Sequence, residues 1–178
     1  NLKCSVALRV NVDVDPGSHE KISTGQNSTK FGIALNDGLA ENYYQKIISH
    51  PNLNPAGLAV HIGSQIKNMK PFESAYNVLL NFSNYLRNKG FDVPCLDLGG
   101  GVGIDYEAGT NPNFSGYGKM VNRLFADQGY QLGFEPGRSI VANSGSLITK
   151  VIYVKHGVNK KFIIVDAAMN DLIRPTLY

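Results

Sequence analysis

Strand-like and helix-like segments alternate along the first 135 residues, and this alternation constrains the fold more than any other feature. Residues 4–14 place apolar side chains at every second position, which is typical of a strand. The pattern continues as helix 36–50, strand 57–62, helix 71–89, strand 93–98, helix 115–128 and strand 131–135. This order predicts parallel strands joined by crossing helices.

The predicted helices carry apolar stripes at helical spacing. In the first, Asn36 or Asp37 is expected to cap the start and Pro51 to stop the helix. The residues expected to face the core are Leu39, Tyr43 and Ile47 in the first helix, Phe72, Tyr76, Leu79 and Leu86 in the second, and Met120, Val121, Leu124 and Phe125 in the third.

The rhythm changes after these units. Residues 146–155 and 160–166 are both strand-like, and the short segment between them contains a glycine, which predicts an antiparallel hairpin. We therefore expect a domain boundary near residue 143, with 1–143 forming one domain and 144–178 beginning another. Because the first residue is Asn1 and the last, Tyr178, follows an ordered-looking run, we expect both ends to be cut rather than natural.

Composition excludes several classes of protein. The net charge is only +3 and no basic stripe is present, which argues against a nucleic-acid partner. No apolar stretch approaches the roughly 18 residues of a membrane span, and no secretory signal is visible. Two cysteines, Cys4 and Cys95, do not make a disulfide framework, so a reducing, cytoplasmic setting is expected.

Four polar motifs follow predicted strands. They are His-Ile-Gly-Ser at 61–64, Asp-Leu-Gly-Gly-Gly-Val-Gly at 97–103, Glu-Pro-Gly-Arg at 135–138, and a run from Asp166 to Tyr178 that contains Asn-Asp-Leu-Ile-Arg-Pro-Thr-Leu-Tyr. In a βα barrel the catalytic groups collect at the carboxyl ends of the strands. The motifs are therefore expected to share one end of the sheet.

The glycines at 99–101 have two interpretations. Their backbone can approach an anion closely and point N–H groups at it, and a phosphate is the natural ligand. Ser64 offers a hydroxyl to the same kind of group. The alternative is a tight turn that merely requires positive φ.

Charged and aromatic residues of the motifs are also open to more than one role. His61 is a base, a flat stacking surface or a satisfied histidine at a strand end; the absence of other histidines or cysteines at ligand spacing disfavours a metal. Glu135 ends an apolar strand, so it is expected to be partly buried and to want a cationic partner. Arg138 and Arg174 can each bind a carboxylate bidentately, or pair with Glu135, for which Arg9 is a third possible partner.

Taken together, the motifs resemble those of the diaminopimelate decarboxylases, members of the alanine-racemase-like (fold type III) pyridoxal-phosphate enzymes. Segments around Arg9 and Lys30 add to the resemblance, which covers essentially the whole chain. It implies an α/β fold: the second half of a TIM-type (βα)8 barrel, followed by the first strands of an all-β domain. It also implies that the Schiff-base lysine precedes Asn1 and that the catalytic cysteine follows Tyr178, so Lys30, Cys4 and Cys95 are neither.

The resemblance assigns roles to individual residues. His61 would stack on the ring of pyridoxal 5'-phosphate, and Glu135 would pair with the ring nitrogen. Ser64 and the three glycines Gly99, Gly100 and Gly101 would hold the phosphate, together with the backbone of Gly137 and Arg138. The substrate carboxylate would be bound by Arg138, Arg174 and Tyr178, with Arg9 in support inside the barrel.

The implied reaction is decarboxylation of meso-2,6-diaminopimelate to L-lysine, by a homodimer with no nucleic-acid or membrane partner. The alternatives are a decarboxylase of arginine, ornithine or carboxynorspermidine with the same fold, a non-catalytic barrel protein that binds pyridoxal phosphate, and an inert fragment. Glu135 favours decarboxylation over racemisation, because a carboxylate keeps the ring nitrogen protonated and an arginine would not.

Overall fold

The computed structural model describes residues 2–17, 24–25, 30–106, 112–173 and 176, in two compact units, Asn1–Ile140 and Val141–Tyr178. In chain order the elements are β1 (Cys4–Asn11), β2 (Ile33–Ala34), a 3-10 turn (Asn36–Gly38), α1 (Leu39–Ser49), β3 (Leu53–Ala59), α2 (Met69–Asn88), β4 (Cys95–Asp97), α3 (Phe114–Phe125), β5 (Gln131–Gly133), α4 (Arg138–Val141), β6 (Val151–His156) and β7 (Lys161–Val165).

The first unit is built on a five-stranded sheet in the order β2-β1-β3-β4-β5. Every neighbouring pair is parallel, which confirms the predicted βα units. The pairing aligns Arg9 with Ala59, Ala59 with Asp97 and Asp97 with Gly133, so the strands end together at one edge. Over the described residues the sheet stays open, with β5 at one side.

Two of the three predicted helix faces are confirmed. The predicted stripe of α2 is fully buried, and in α3 Met120, Val121 and Phe125 are buried while Leu124 is partly so. In α1 the predicted face is wrong, because Leu39 and Tyr43 are exposed and Ala40 and Tyr44 are buried instead.

The caps of these helices also differ in part from expectation. Asn36 and Asp37 do not cap α1, whose N-cap is Gly38 in a left-handed conformation with φ of 70°. The second helix begins two residues earlier than predicted, because the Asn68 side chain accepts a hydrogen bond from the Lys70 N–H and caps it.

One arginine holds the amino ends of β4 and β5. The Arg87 guanidinium donates to the carbonyls of Val93 and Gln128 at 2.8 Å each, and it lies 3.5 Å from the centre of the Tyr130 ring. Because the strands run parallel, this cluster lies at the end of the sheet opposite the motifs at 61–64, 97–103 and 135–138.

The second unit contains the predicted hairpin, in which β6 and β7 pair antiparallel. Thr149 Oγ1 and the Lys150 N–H both donate to Asp166 Oδ1, at 2.7 and 2.8 Å. These bonds join the two open ends of the hairpin. In the part of the chain that the structure covers, no helix has the length and apolar character needed to cross a membrane.

Candidate active site

His61, the glycines and Glu135 meet where β3, β4 and β5 end. We call residues 99–101 the glycine loop. The Gly100 N–H donates to His61 Nδ1 at 3.2 Å, and the Glu135 N–H donates to the Gly99 carbonyl at 2.9 Å. The structure therefore brings three of the predicted motifs into one cluster.

Each position of the glycine loop is too close to neighbouring backbone to hold a side chain. A Cβ at Gly99 would lie 2.2 Å from the Val60 carbonyl oxygen, one at Gly100 would lie 2.1 Å from that of Glu135, and one at Gly101 would lie 2.1 Å from that of Gly63. Gly99 and Gly101 also have φ of +67° and +102°. The loop thus makes a tight turn with positive φ, and its backbone is also approached closely by other atoms. Those atoms are backbone oxygens of the protein.

Two of the loop N–H groups are already used. The Gly99 N–H donates to Asp97 Oδ1 at 2.8 Å, and the Gly100 N–H donates to His61. These bonds fix the shape of the loop, and they identify Asp97 as a structural partner that the sequence analysis did not single out. Its position two residues before Gly99 was the available signal, since an aspartate side chain readily accepts from the N–H two residues later.

His61 is neutral in this arrangement. Its Nδ1 accepts a hydrogen bond, which assigns the ring proton to Nε2. Burial lowers the pKa of His61, the nearby Arg9 charge lowers it further, and Glu135 and Asp97 act in the opposite direction. The imidazole is therefore an uncharged flat surface at neutral pH.

Arg9 anchors the backbone of His61 from β1. Its Nη2 donates to the His61 carbonyl at 3.2 Å, and Thr24 Oγ1 donates to the same oxygen at 2.8 Å. Burial lowers the pKa of Arg9 and the Glu135 carboxylate opposes that effect. Arg9 thus contacts His61 and is acted on by the charge of Glu135, and Thr24 is a further partner of the His61 carbonyl.

Glu135 is exposed, and the expectation that it is partly buried was wrong. It follows β5, which has a neighbouring strand on only one side, and Phe134 beside it is 46% exposed. None of the salt bridges within the described ranges includes Glu135. Its carboxylate is therefore open to a cationic group of a ligand.

The remaining predicted residues are less tightly tied to the cluster. Arg138 Nη1 donates a long hydrogen bond, 3.4 Å, to the Tyr106 hydroxyl. Ser64 is half-buried and follows Gly63, whose carbonyl faces Gly101. Gly137 has open space around it. Arg174 and Tyr178 lie outside the described residues.

A cavity of about 280 Å³ lies on the helix side of the glycine loop. Gly99, Gly100, Phe114, Tyr117 and Phe134 contribute to its walls, which are mainly apolar.

The sequence model described as "pyridoxal-dependent decarboxylase, pyridoxal binding domain" matches residues 2–142. The chain belongs to this family. Pyridoxal phosphate is accordingly its cofactor, and the open parallel sheet is part of a TIM-type βα barrel that is followed by the first strands of a β-domain.

Relatives of this chain include diaminopimelate decarboxylases. That of Zymomonas mobilis is 47% identical over 99% of this chain, and the chain spans 42% of its length. The structure of the Helicobacter pylori enzyme in complex with L-lysine aligns with a TM-score of 0.87 and 36% identity, covering 99% of this chain and 44% of that one. Lysine decarboxylase from Selenomonas ruminantium, at 23% identity and a TM-score of 0.77 over 99% of this chain and 45% of that one, shares the fold.

The described residues fit pyridoxal phosphate. The cluster offers a neutral aromatic face at His61, an open carboxylate at Glu135, and a loop with no side chains to block a phosphate. These are the groups that a planar ring with a basic nitrogen and a phosphate ester requires.

Proposed function

We propose that this chain is part of a diaminopimelate decarboxylase, which converts meso-2,6-diaminopimelate to L-lysine and CO₂. The observation that carries the proposal is the open Glu135 carboxylate beside neutral His61 at the common end of three strands. The relatives named above and the lysine held by the Helicobacter pylori enzyme support the substrate.

The residues have distinct tasks in this proposal. When bound, pyridoxal phosphate supplies a sink for the electron pair that remains when CO₂ leaves. Glu135 holds the proton on the ring nitrogen by charge pairing, since a nearby negative charge raises the pKa of a cation. His61 covers one face of the ring without adding charge.

Phosphate binding is assigned to Ser64, the glycine loop, Gly137 and the Arg138 backbone. Because the N–H groups of Gly99 and Gly100 are committed to Asp97 and His61, we assign the loop's phosphate bond to Gly101. Gly99 and Gly100 then contribute by leaving room rather than by donating.

Recognition of the distant substrate carboxylate is assigned to Arg138, Arg174 and Tyr178. Guanidinium groups bind carboxylates through two parallel hydrogen bonds. A substrate with an amine at that end, such as ornithine, gains nothing from such groups.

The wider organisation belongs to the same proposal. Residues 1–143 form the barrel part and 144–178 begin the β-domain, and the hairpin of β6 and β7 counts against a barrel-only binding protein. We also propose that the intact protein is a homodimer in the cytoplasm, where the two free cysteines would stay reduced.

The decisive assay measures CO₂ release by the full-length protein that carries this sequence. We expect release from meso-diaminopimelate and much slower release from lysine, ornithine and arginine. A higher kcat/KM with ornithine or arginine would assign the protein to another decarboxylase of this fold. Light scattering of the same preparation tests the dimer.

A further inference from the structure

Two tyrosines from different helices meet under the glycine loop. Tyr76 lies on α2 and is 1% exposed, and Tyr117 lies on α3. Their hydroxyl oxygens are 2.6 Å apart, and the Tyr76 hydroxyl donates to the Leu98 carbonyl at 3.1 Å. The helical pattern alone treats Tyr76 as an ordinary core residue, yet its hydroxyl contacts the backbone directly before the loop.

The direction of these bonds follows from counting protons. A tyrosine has one O–H, and that of Tyr76 goes to Leu98, so Tyr117 must donate to Tyr76. Burial raises the pKa of both tyrosines, and the charge of Asp97 raises it further. Both hydroxyls therefore keep their protons, and the chain of bonds runs from Tyr117 through Tyr76 to Leu98.

These two hydrogen bonds add to the other contacts that hold the glycine loop. Two neighbouring segments also hold the loop: the Glu135 N–H, just beyond β5, donates to the Gly99 carbonyl, and the Ile66 N–H, in the segment after β3, donates to the Gly101 carbonyl. Leu98 joins β4 to Gly99, and its own N–H donates to the Gly133 carbonyl. The tyrosines hold Leu98 from the helix layer.

The surrounding packing makes the arrangement rigid. The Tyr117 ring packs edge-on against Phe72 and Tyr76, at centroid distances of 5.6 and 6.3 Å, and against Phe134 at 6.2 Å. Tyr117 also lines the 280 Å³ cavity together with Gly99 and Gly100. A displaced tyrosine pair would therefore move the loop and not only the helices.

We propose that Tyr76 and Tyr117 are positioning residues that hold the glycine loop in the conformation that binds the cofactor phosphate. The inference rests on the proposed function, which makes this loop a phosphate site. Neither tyrosine is assigned a contact with the cofactor or the substrate.

The test compares ligands with and without a phosphate. In the apo form of the full-length protein, Tyr76→Phe should raise the Kd for pyridoxal 5'-phosphate about tenfold, equivalent to about 1.4 kcal/mol. The Kd for pyridoxal should stay within about twofold, because the contacts of the ring remain. Tyr117→Phe leaves the bond to Leu98 in place, so we expect a smaller rise, about threefold, from the lost reinforcement.

A matched control separates positioning from stability. Tyr44 is also buried, and its hydroxyl donates to the Asp92 carbonyl at 2.7 Å, away from the loop. Tyr44→Phe should cost a similar free energy of unfolding and leave the ratio of the two Kd values unchanged. If Tyr76→Phe does not fold, the ratio of the Kd values for pyridoxal 5'-phosphate and pyridoxal in Tyr117→Phe tests the inference instead.

Two results with the variants would overturn the inference: equal losses of affinity for both ligands, or unchanged affinity for pyridoxal phosphate in both variants. A wild-type protein that binds pyridoxal phosphate no better than pyridoxal would also refute it. A wild type that binds the phosphate form tightly but releases no CO₂ from meso-diaminopimelate refutes the proposed function alone, and the ratio still tests the tyrosines.

Discussion

Glu135 shows how a single carboxylate is made available for chemistry. It follows an edge strand, is exposed, and has no salt-bridge partner in the described regions of the chain. Its negative charge acts to raise the pKa of both Arg9 and His61. The carboxylate thus remains exposed while its charge acts on Arg9 and His61.

We predict that Glu135→Gln in the full-length protein lowers kcat about a hundredfold or more, on the scale that a positioned acid–base group contributes. The Kd for the cofactor should change much less, because the phosphate contacts are untouched. Steady-state kinetics and a cofactor titration measure the two effects. Glu73→Gln is the control, since that half-buried carboxylate on α2 pairs with Arg123 at 2.9 Å. An unchanged kcat in Glu135→Gln would contradict the assigned role.

His61 should make stability depend on pH. The pKa of His61 is lower in the folded state than in the unfolded chain, mainly because the side chain is buried. The unfolded chain therefore binds the proton more readily than the folded protein does. The free energy of unfolding is therefore fully retained above about pH 6.5 and falls as the pH drops from there toward the folded-state pKa.

Denaturant titrations between pH 5 and 8 test this, at pH values chosen around the ordinary histidine pKa of about 6.5. Below pH 6.5, His61→Gln should flatten the dependence of the free energy of unfolding on pH. His50→Gln is the control, because it removes an exposed histidine. A slope that is the same in His61→Gln and in the wild type would rule out His61 as its source.

At the scale of the element, the glycine loop is a packing device as much as a binding one. We predict that Gly100→Ala lowers the free energy of unfolding by about 3 kcal/mol, the upper range for overpacking, because the new Cβ would lie 2.1 Å from a backbone oxygen. Gly118→Ala in α3 meets nothing within 4 Å and should instead add roughly 0.5–1 kcal/mol through helix propensity. Thermal and denaturant unfolding should thus show changes of opposite sign in the free energy of unfolding of the two variants. Equal changes would show that the glycine loop can relax around the added methyl group.

Helix α1 shows where sequence patterns stop being decisive. Leu39, Tyr43 and Ile47 repeat every four residues, but Ala40 and Tyr44 repeat with the same period one position later. The Tyr44 hydroxyl reaches the Asp92 carbonyl and its ring lies 6.4 Å from that of Phe91, and these long-range contacts select the second stripe. Periodicity finds a helix, whereas the inward face of an aromatic-rich helix depends on residues far along the chain.

The predicted strands occur in the right order, but β2 was not predicted, β3 begins four residues earlier than predicted, and the other strands are shorter than predicted. The strands β4 and β5 have three residues each, although beyond them the Leu98 N–H still donates to the Gly133 carbonyl and the Glu135 N–H to the Gly99 carbonyl. The motifs themselves located His61, the glycines and Glu135, since strand ends of a parallel sheet share one edge. No local sequence pattern indicates which strand lies at the edge of the sheet. For that reason the sequence analysis did not predict that Glu135 is exposed.

For the molecule as a whole, we predict that the 178-residue chain alone releases no CO₂ from meso-diaminopimelate. The family resemblance assigns the Schiff-base lysine and the catalytic cysteine to positions that this sequence does not contain. Lys30 is exposed and lies 5.4 Å from the Phe31 ring centre, and so offers no buried amine.

Adding pyridoxal phosphate, reducing with borohydride and mapping the products by mass spectrometry checks this. We expect scattered, substoichiometric pyridoxyl-lysines. A single stoichiometric adduct, on Lys30 above all, would show that the chain carries its own covalent anchor.

Arg87 has a consequence for how such a protein can be redesigned. One side chain ties the turns that precede β4 and β5 to each other and to Tyr130, a full strand length from the chemistry. Lysine could not replace it, because an ammonium group has neither the flat face nor the fork of donors. Mutational libraries aimed at a new substrate can therefore vary carboxyl-end side chains outside the glycine loop while this arginine stays constant, because the bonds that hold the amino ends of β4 and β5 lie at the other end of the sheet.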